Sequence, residues 1–167
     1  MKRASGNTRS VAAGCAQASS PVDLDLMNES AQTSAEPRHL SIFVVENHPD
    51  TLKYLRMYLE QLGHQVQSAK TLEEALRLAP SMTCDVLISD IGLPDGDGWD
   101  LLPQARFPQP VYAIAMSGFG MNADRARSKA AGFRHHLLKP FDPQELEGML
   151  EEAAGELEAG RASPARR

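Results

Sequence analysis

The sequence predicts an α/β domain with a doubly wound, five-stranded parallel sheet, and three observations support this fold class. Within residues 40–158, short apolar segments alternate with segments of helical periodicity, as in repeated βα units. Most of the apolar segments are nearly continuous, which is typical of strands covered by helices on both faces. Glycine, proline and helix-capping residues separate the segments, so each element can be predicted in order.

Five segments are predicted as strands: 40–48 (LSIFVVENH), 65–69 (QVQSA), 85–90 (DVLISD), 111–117 (VYAIAMS) and 135–139 (HHLLK). The first is apolar and β-branched, which favours a buried strand. The second is a short alternating strand, and the fifth is short. In chain order, each of these strands is followed by a segment with helical features.

The first two helices have clear beginnings or ends. The first carries leucines at helical spacing and stops at Gly63. These leucines are Leu52, Leu55, Leu59 and Leu62. The second helix opens at Thr71 with Glu74 three residues later, which is a capping-box pattern.

The last three helices are predicted from breakers and caps. Pro103 is expected to cut or bend the third helix, in the segment WDLLPQA. The fourth, MNADRARSKAAG, is mostly polar and ends at Gly132. The fifth begins with Asp142 as a cap, Pro143 at the first helical position and Glu145 in the first turn.

Composition divides the chain into a leader, one domain and a tail. Residues 1–38 are polar and carry equal numbers of acids and bases, so we expect a disordered leader. Residues 39–158 form the predicted domain, with ten basic and eighteen acidic side chains. Residues 159–167 are predicted to be a basic, flexible tail. The net charge of −5 gives no reason to expect nucleic-acid binding.

Cysteine usage and hydropathy indicate the compartment. Cys15 and Cys84 lie far apart and suggest no disulfide framework, so a reducing environment is expected. The first residues lack the apolar region of a secretion signal. No stretch is long and apolar enough for a membrane span. We therefore expect a cytoplasmic protein, with Cys84 as an inert core residue rather than a redox thiol.

Polar side chains follow four of the predicted strands. Glu46 and Asn47 follow the apolar run of the first strand, Asp90 that of the third, Ser117 that of the fourth and Lys139 that of the fifth. In open parallel sheets, ligands bind beyond the carboxyl ends of the strands. The set combines oxygen ligands suited to Mg²⁺, a carboxylate nucleophile and two donors for a phosphoryl group.

Four stretches resemble the receiver domain of two-component response regulators, and the resemblance covers residues 40–158. They are IFVVENHPDT, DVLISDIGLPDGDGWDLL, AIAMSGFG and GFRHHLLKPF, in the family's order and spacing. The resemblance implies a flavodoxin-like strand order. It also implies a phosphoryl group accepted on Asp90 from a histidine kinase or a histidine phosphotransfer protein.

The resemblance also implies a Mg²⁺ site. Asp90 and the carbonyl of Gly92 would hold the metal together with Glu46 and Asn47, which stand where the family usually has two acids. Asn47 departs from that pattern, because an amide oxygen brings no charge. We therefore expect weaker Mg²⁺ binding. An alternative is that the acid was lost in a domain that is no longer phosphorylated.

Two further residues of the site are implied by the family pattern. Lys139 would pair with Asp90 and with the phosphoryl oxygens, and Ser117 would donate its hydroxyl to the phosphoryl group. The bond between Lys139 and Pro140 is expected to be cis. His136 occupies the position of a family aromatic, and either a switch role or an exposed histidine at a strand end would fit.

The lifetime of the phosphoryl group can be anticipated from two positions. Gly92 and Phe119, two residues beyond Asp90 and Ser117, occupy positions that the resemblance implies influence loss of the phosphoryl group, and neither has a side chain able to orient an attacking water. A long-lived phosphoryl state is therefore expected.

The other acids near Asp90 need no catalytic role. Asp95 and Asp97 lie in the segment PDGDG and are predicted to form turns. Asp100 and Glu145 are predicted to be charges at the starts of helices.

These residues favour a signalling phosphoacceptor that is not an enzyme. A phosphorylation-independent interaction module is the alternative. An aspartate-nucleophile phosphohydrolase is disfavoured, because Gly92 stands where a general acid would be needed. Nucleotide-binding motifs do not follow any strand.

We expect a stand-alone receiver that docks a downstream protein or relays phosphate. The contact is expected on the face of the fourth and fifth elements, as the family implies. No DNA-binding domain, no membrane contact, and a monomer or weak dimer are expected.

Overall fold

A computed structural model describes residues 39–118 and 120–162, with side chains described as far as residue 160. The predicted leader, Phe119 and residues 163–167 lie outside this range. The five strands of the main sheet are β1 (Ser41–Val45), β2 (Gln65–Ala69), β3 (Val86–Asp90), β4 (Tyr112–Ser117) and β5 (His135–Leu138), and two further two-residue strands, Gly92–Leu93 and Gly96–Asp97, pair antiparallel with each other. The main sheet is parallel, with its strands in the order β2-β1-β3-β4-β5. The predicted fold class and flavodoxin-like order are confirmed.

Five α-helices connect or follow these strands. They are α1 (Pro49–Gln61), α2 (Leu72–Leu78), α3 (Leu101–Gln104), α4 (Asn122–Ala130) and α5 (Pro143–Ala162). α5 continues through the first four residues of the predicted tail. Within the described part of the chain, none of the helices has the length and hydropathy needed to cross a membrane.

The sheet is covered on both faces, because alternate side chains of each strand point in opposite directions. Ile42 and Val44 of β1 belong to a core that includes leucines of α1 and α5. Phe43 and Val45 belong to a second core that includes residues of α2 and α3. Burial on both faces explains why β1 reads as a continuous apolar run.

Local caps fix the ends of the helices. Gly63 and Gly132, which follow α1 and α4, have positive φ angles of 88° and 100°, a region that glycine enters without steric cost. The Thr71 hydroxyl accepts a hydrogen bond from the backbone N–H of Glu74 at 3.1 Å, so Thr71 caps α2 as predicted. The Glu74 carboxylate accepts from the N–H of Lys70 at 2.8 Å rather than from that of Thr71, so the predicted capping box is formed only in part. Pro103 lies inside α3, which is only four residues long.

Asp95 does more than form a turn. Its carboxylate accepts hydrogen bonds from the backbone N–H groups of Leu72 and Glu73, both at 2.8 Å. These bonds, chiefly the one from Glu73, lower the pKa of Asp95. The segment after β3 is thereby tied to the amino end of α2, a contact across 23 residues of sequence that the turn pattern did not predict.

Candidate functional site

The carboxyl ends of the central strands form a cleft of about 340 Å³. Asp90 ends β3, Ser117 ends β4, and Lys139 follows β5; all three line the cleft, as does Gly92. Glu46 follows β1 and is fully buried. The strand order brings these positions together because β1, β3, β4 and β5 are successive neighbours in the sheet. The sequence-predicted residues therefore converge, with Asn47 exposed beside them.

The Lys139 ammonium joins the two acids. Its Nζ donates to Glu46 Oε2 at 2.5 Å and to Asp90 Oδ2 at 2.8 Å. Glu46 has no exposed surface, and the side chain of Asp90 is 12% exposed. Charge pairs with this little solvent are screened weakly, so the ammonium is a strong electrostatic partner for both carboxylates. The bond between Lys139 and Pro140 is cis, as expected.

The other carboxylate oxygens accept backbone hydrogen bonds. Glu46 Oε1 accepts from the N–H of His48 at 2.8 Å, and Asp90 Oδ1 accepts from the N–H of Gly92 at 3.0 Å. Both oxygens of Glu46 therefore already have protein donors. Asp90 differs, because its carboxylate also faces the cleft.

Acidic ligands are few at this edge. Among residues 39–118 and 120–162, no group of three or more histidine, cysteine, aspartate or glutamate side chains is arranged to hold a metal. The oxygen donors predicted for a metal are the carboxylates of Asp90 and Glu46, the amide of Asn47 and the carbonyl of Gly92. The carboxylate of Asp97 also lines the cleft, but it is paired with Arg127. Such hard oxygen donors suit Mg²⁺, which also retains waters. The set fits that ion with one charge fewer than an acid pair would provide.

Gly98 closes the turn that follows Asp90. Its N–H donates to the carbonyl of Ile91 at 2.9 Å. A Cβ atom at this position would lie 2.1 Å from the Asp90 carbonyl oxygen, far inside van der Waals contact. The turn therefore packs directly on the end of β3, and only glycine fits there. The sequence predicts a turn in this segment but gives no sign that Gly98 approaches Asp90 this closely.

A hydrogen-bonded chain of side chains begins at the rim of the cleft. Trp99, which lines the cleft, donates its indole N–H to Ser128 Oγ at 2.9 Å. Ser128 Oγ is 2.7 Å from Nδ1 of His136. His136 is only 8% exposed, so the interpretation as an exposed histidine is wrong. Packing of α4 over β5 buries it, which strand-end position alone could not reveal.

The other acids near the site and Cys84 are the residues for which the sequence predicts no catalytic role. Asp97 pairs with Arg127 at 2.9 Å on the exposed surface. Asp100 makes no capping hydrogen bond to α3, although it lies in the first turn of a short 3₁₀ helix (Gly98–Asp100) that precedes α3. Glu145 lies in the first turn of α5, as predicted. Burial and the neighbouring Asp85 raise the pKa of Cys84 to about 12, which agrees with an inert core thiol.

The fold and the cleft define a doubly wound α/β domain with a carboxylate–lysine site at the carboxyl edge of its sheet. Residues 42–151 match the model of the response regulator receiver domain. The chain belongs to this family, so the predicted resemblance is confirmed. Receiver domains are signalling modules of two-component systems.

Several curated proteins are similar to this chain over its receiver region. An uncharacterized 14.6 kDa protein of Leptolyngbya boryana is 36% identical over 110 residues, covering 64% of this chain and 84% of that protein. The KDP operon transcriptional regulatory protein KdpE of Escherichia coli is 34% identical, covering 66% and 49%. KdpE of Mycobacterium tuberculosis is 34% identical, covering 67% and 50%. The chain thus spans about half the length of these transcriptional regulators.

Solved receiver structures share the fold. A CheY-like receiver domain protein from Methanospirillum hungatei has a TM-score of 0.68 and 27% identity, covering 74% of this chain and 99% of that chain. The receiver domain of a sensor histidine kinase from Pseudomonas aeruginosa has a TM-score of 0.64 and 26% identity, covering 71% and 99%. That second structure has a magnesium ion coordinated in its active site cleft.

Proposed function

We propose that this domain accepts a phosphoryl group on Asp90 and signals through a phosphorylation-dependent protein contact. The observation that carries the proposal is the position of Asp90, which ends β3 in the cleft with the Lys139 ammonium 2.8 Å from its Oδ2. A carboxylate nucleophile with an adjacent fixed cation is what phosphoryl transfer requires, because catalysis there is mostly positioning and charge neutralisation. Membership of the receiver family supports the same role.

The donor would be a phosphohistidine on a histidine kinase or on a histidine phosphotransfer protein. A carboxylate oxygen of Asp90 attacks phosphorus, an O–P bond forms and the P–N bond breaks. The leaving imidazole nitrogen keeps the bonding electrons and takes a proton from solvent. Lys139 would then pair with the phosphoryl oxygens, and the hydroxyl of Ser117 would donate to them. The new group adds a charge of roughly −1.5 to −2 at neutral pH.

Mg²⁺ is the proposed cofactor, and the oxygen donors of the site fit it. Asp90, Asn47, Glu46 and the carbonyl of Gly92 would hold the ion. When bound, Mg²⁺ supplies positive charge that offsets the charge of the phosphoryl oxygens. Because Glu46 already accepts hydrogen bonds from Lys139 and His48, its share in metal binding is smaller than its charge suggests.

Asn47→Asp is expected to tighten Mg²⁺ binding on the order of tenfold, because ligand charge largely sets affinity for hard cations. Trp99 provides the measurement, since it is the single tryptophan of the chain and lines the cleft. Its fluorescence can be followed during a Mg²⁺ titration, with calorimetry as a second measurement. Gln65→Glu, which adds the same charge at the opposite end of the sheet, is the control. Equal affinities in the wild type and Asn47→Asp would contradict the assignment.

Acetyl phosphate tests the proposed acceptor directly. With Mg²⁺ present, intact-mass spectrometry should show one added phosphoryl group on the wild-type protein and none on Asp90→Asn. Asp100→Asn, which changes an exposed acid of the same segment, should remain labelled. Labelling of Asp90→Asn would overturn the assignment of the acceptor. An unlabelled wild-type protein would instead favour the alternative below.

The alternative is a receiver-like interaction module that works without phosphorylation. The uncharged Asn47 and the double engagement of Glu46 favour it, since both reduce the charge available to a metal. In both functions the proposed partner is a protein. The expectations of a stand-alone receiver and of a long-lived phosphoryl group remain predictions.

A further inference from the structure

We propose that Ser128 is a positioning residue that couples helix α4 to the phosphoacceptor cleft. Its hydroxyl is the middle member of the chain Trp99–Ser128–His136, which we call the Trp–Ser–His relay. The proposal deepens the function given above and rests on it, because the signal to be transmitted is the phosphoryl group on Asp90.

The relay joins three elements that are separate in sequence. Trp99 follows β3, Ser128 lies in α4, and His136 lies in β5. An indole N–H can only donate, so Ser128 Oγ is the acceptor of the 2.9 Å bond. The same oxygen meets His136 Nδ1 at 2.7 Å, and the hydroxyl can donate to that nitrogen or accept from it. Ser128 therefore bridges its two partners in either tautomer of the histidine.

Burial makes the relay sensitive to the position of α4. Ser128 is 1% exposed and His136 is 8% exposed, so water does not readily replace either bond. Leaving a buried polar group without a partner costs about 1–3 kcal/mol, more than a typical bond contributes when intact. A displacement of α4 away from β5 would break both contacts at once. The relay thus favours one placement of the helix over others.

Both ends of the relay lead back to Asp90. At one end, Trp99 directly follows Gly98, whose backbone packs against the Asp90 carbonyl oxygen. At the other end, His136 precedes Lys139 by three residues, and Lys139 holds Asp90 Oδ2 at 2.8 Å. The contacts therefore form a closed ring that connects Asp90, the turn, α4 and the end of β5.

A phosphoryl group on Asp90 would disturb this ring of contacts at two points. It changes what Lys139 contacts at the end of β5, and it enters the cleft that Trp99 lines. Both disturbances reach Ser128, because it is hydrogen-bonded to both sides. A physical coupling of this kind requires that α4 have two arrangements that the site can bias. Arg127, next to Ser128, stacks on the Trp99 ring at 3.9 Å and strengthens the link to the helix.

Ser128→Ala tests the relay in the unphosphorylated protein first. The substitution removes one oxygen, adds no atoms, and places the best helix former in α4. In ¹⁵N NMR spectra, the single indole N–H should shift and its exchange with solvent should rise by about fivefold, the factor expected for one lost hydrogen bond. Ser81→Ala, which removes a hydroxyl bonded to the carbonyl of Leu78, is the matched control and should leave the indole signal unchanged.

The second measurement adds beryllofluoride with Mg²⁺ as a phosphoryl analogue. In the wild type, amide shifts should extend from Asp90 and Gly92 through α4. In Ser128→Ala, the shifts at Asp90 and Gly92 should persist, while those of α4 should fall by at least about twofold, the lower end of measured couplings. Trp99→Phe removes the donor from the other end and should reduce the α4 shifts similarly. The double variant should reduce them no further, because both substitutions cut the same path.

The outcomes separate this inference from the proposed function. Undiminished α4 shifts in Ser128→Ala or in Trp99→Phe would overturn the coupling and leave the phosphoacceptor role intact. A wild-type protein that neither binds beryllofluoride nor accepts phosphate from acetyl phosphate would overturn the phosphoacceptor role, and the coupling with it. If Ser128→Ala does not fold, the α4 shifts of Trp99→Phe decide whether the coupling exists.

Discussion

Replacing Lys139 by methionine is expected to destabilise the domain by about 3–5 kcal/mol, the usual cost of removing one partner from a buried ion pair. Glu46 is fully buried and would lose the ammonium that lies 2.5 Å from its Oε2. Asp90 would lose the same cation. The backbone N–H of His48 would still donate to Glu46, but a single amide cannot offset a buried carboxylate charge. Urea unfolding followed by circular dichroism measures the loss.

A matched double substitution separates charge from packing. Glu46→Gln in the Lys139→Met background removes the buried charge while keeping the shape of the side chain, and it should recover most of the lost stability. Glu46→Gln alone should cost less than Lys139→Met, because Lys139 keeps Asp90 as its partner. An additive double variant would show that Glu46 and Lys139 do not interact energetically, contrary to the geometry.

Gly98→Ala is the second substitution with a large expected effect. The new methyl group would lie 2.1 Å from the Asp90 carbonyl oxygen and 2.8 Å from Cα of Ile91. Both are backbone atoms, so no side-chain rotation can relieve the overlap. The turn or the end of β3 must move, and we expect a loss of roughly 3 kcal/mol, the upper end of typical overpacking costs. Urea unfolding gives the loss, and a shifted Trp99 emission would show that the turn has moved.

Gly148→Ala is the control for that experiment. Gly148 lies in α5, and a Cβ atom there would meet nothing within 4 Å. Replacing an interior helical glycine by alanine should raise stability by roughly 0.5–1 kcal/mol. A Gly98→Ala variant as stable as the wild type would mean that the turn does not pack on β3 as described. The same substitution is therefore expected to lower the free energy of unfolding at Gly98 and to raise it at Gly148.

The fold was predictable because its signals are local. Most of the strands are short apolar runs, and helices have local caps or stops, such as Thr71 before α2 and Gly63 after α1. The length of α5 was less predictable. The segment at 159–167 reads as a tail because it contains glycine, proline and arginines, yet the helix continues to Ala162.

The members of the candidate site were also predictable, but their contacts were not. Asp90, Ser117 and Lys139 each follow or end a strand, and the carboxyl ends of parallel strands share one edge. Whether Glu46 faces a metal or the lysine depends on side-chain geometry across 93 residues of sequence. No local pattern encodes that choice.

By itself, the sequence determined the α/β class, the order of its elements and the edge of the sheet where the candidate site lies. These follow from periodicity and capping, which act over a few residues. Only the tertiary structure decided that Lys139 bridges both acids, that Gly98 packs on Asp90, and that His136 is buried against Ser128. These contacts depend on how separate elements pack, and packing is set by the shape and polarity of the whole core rather than by neighbouring residues.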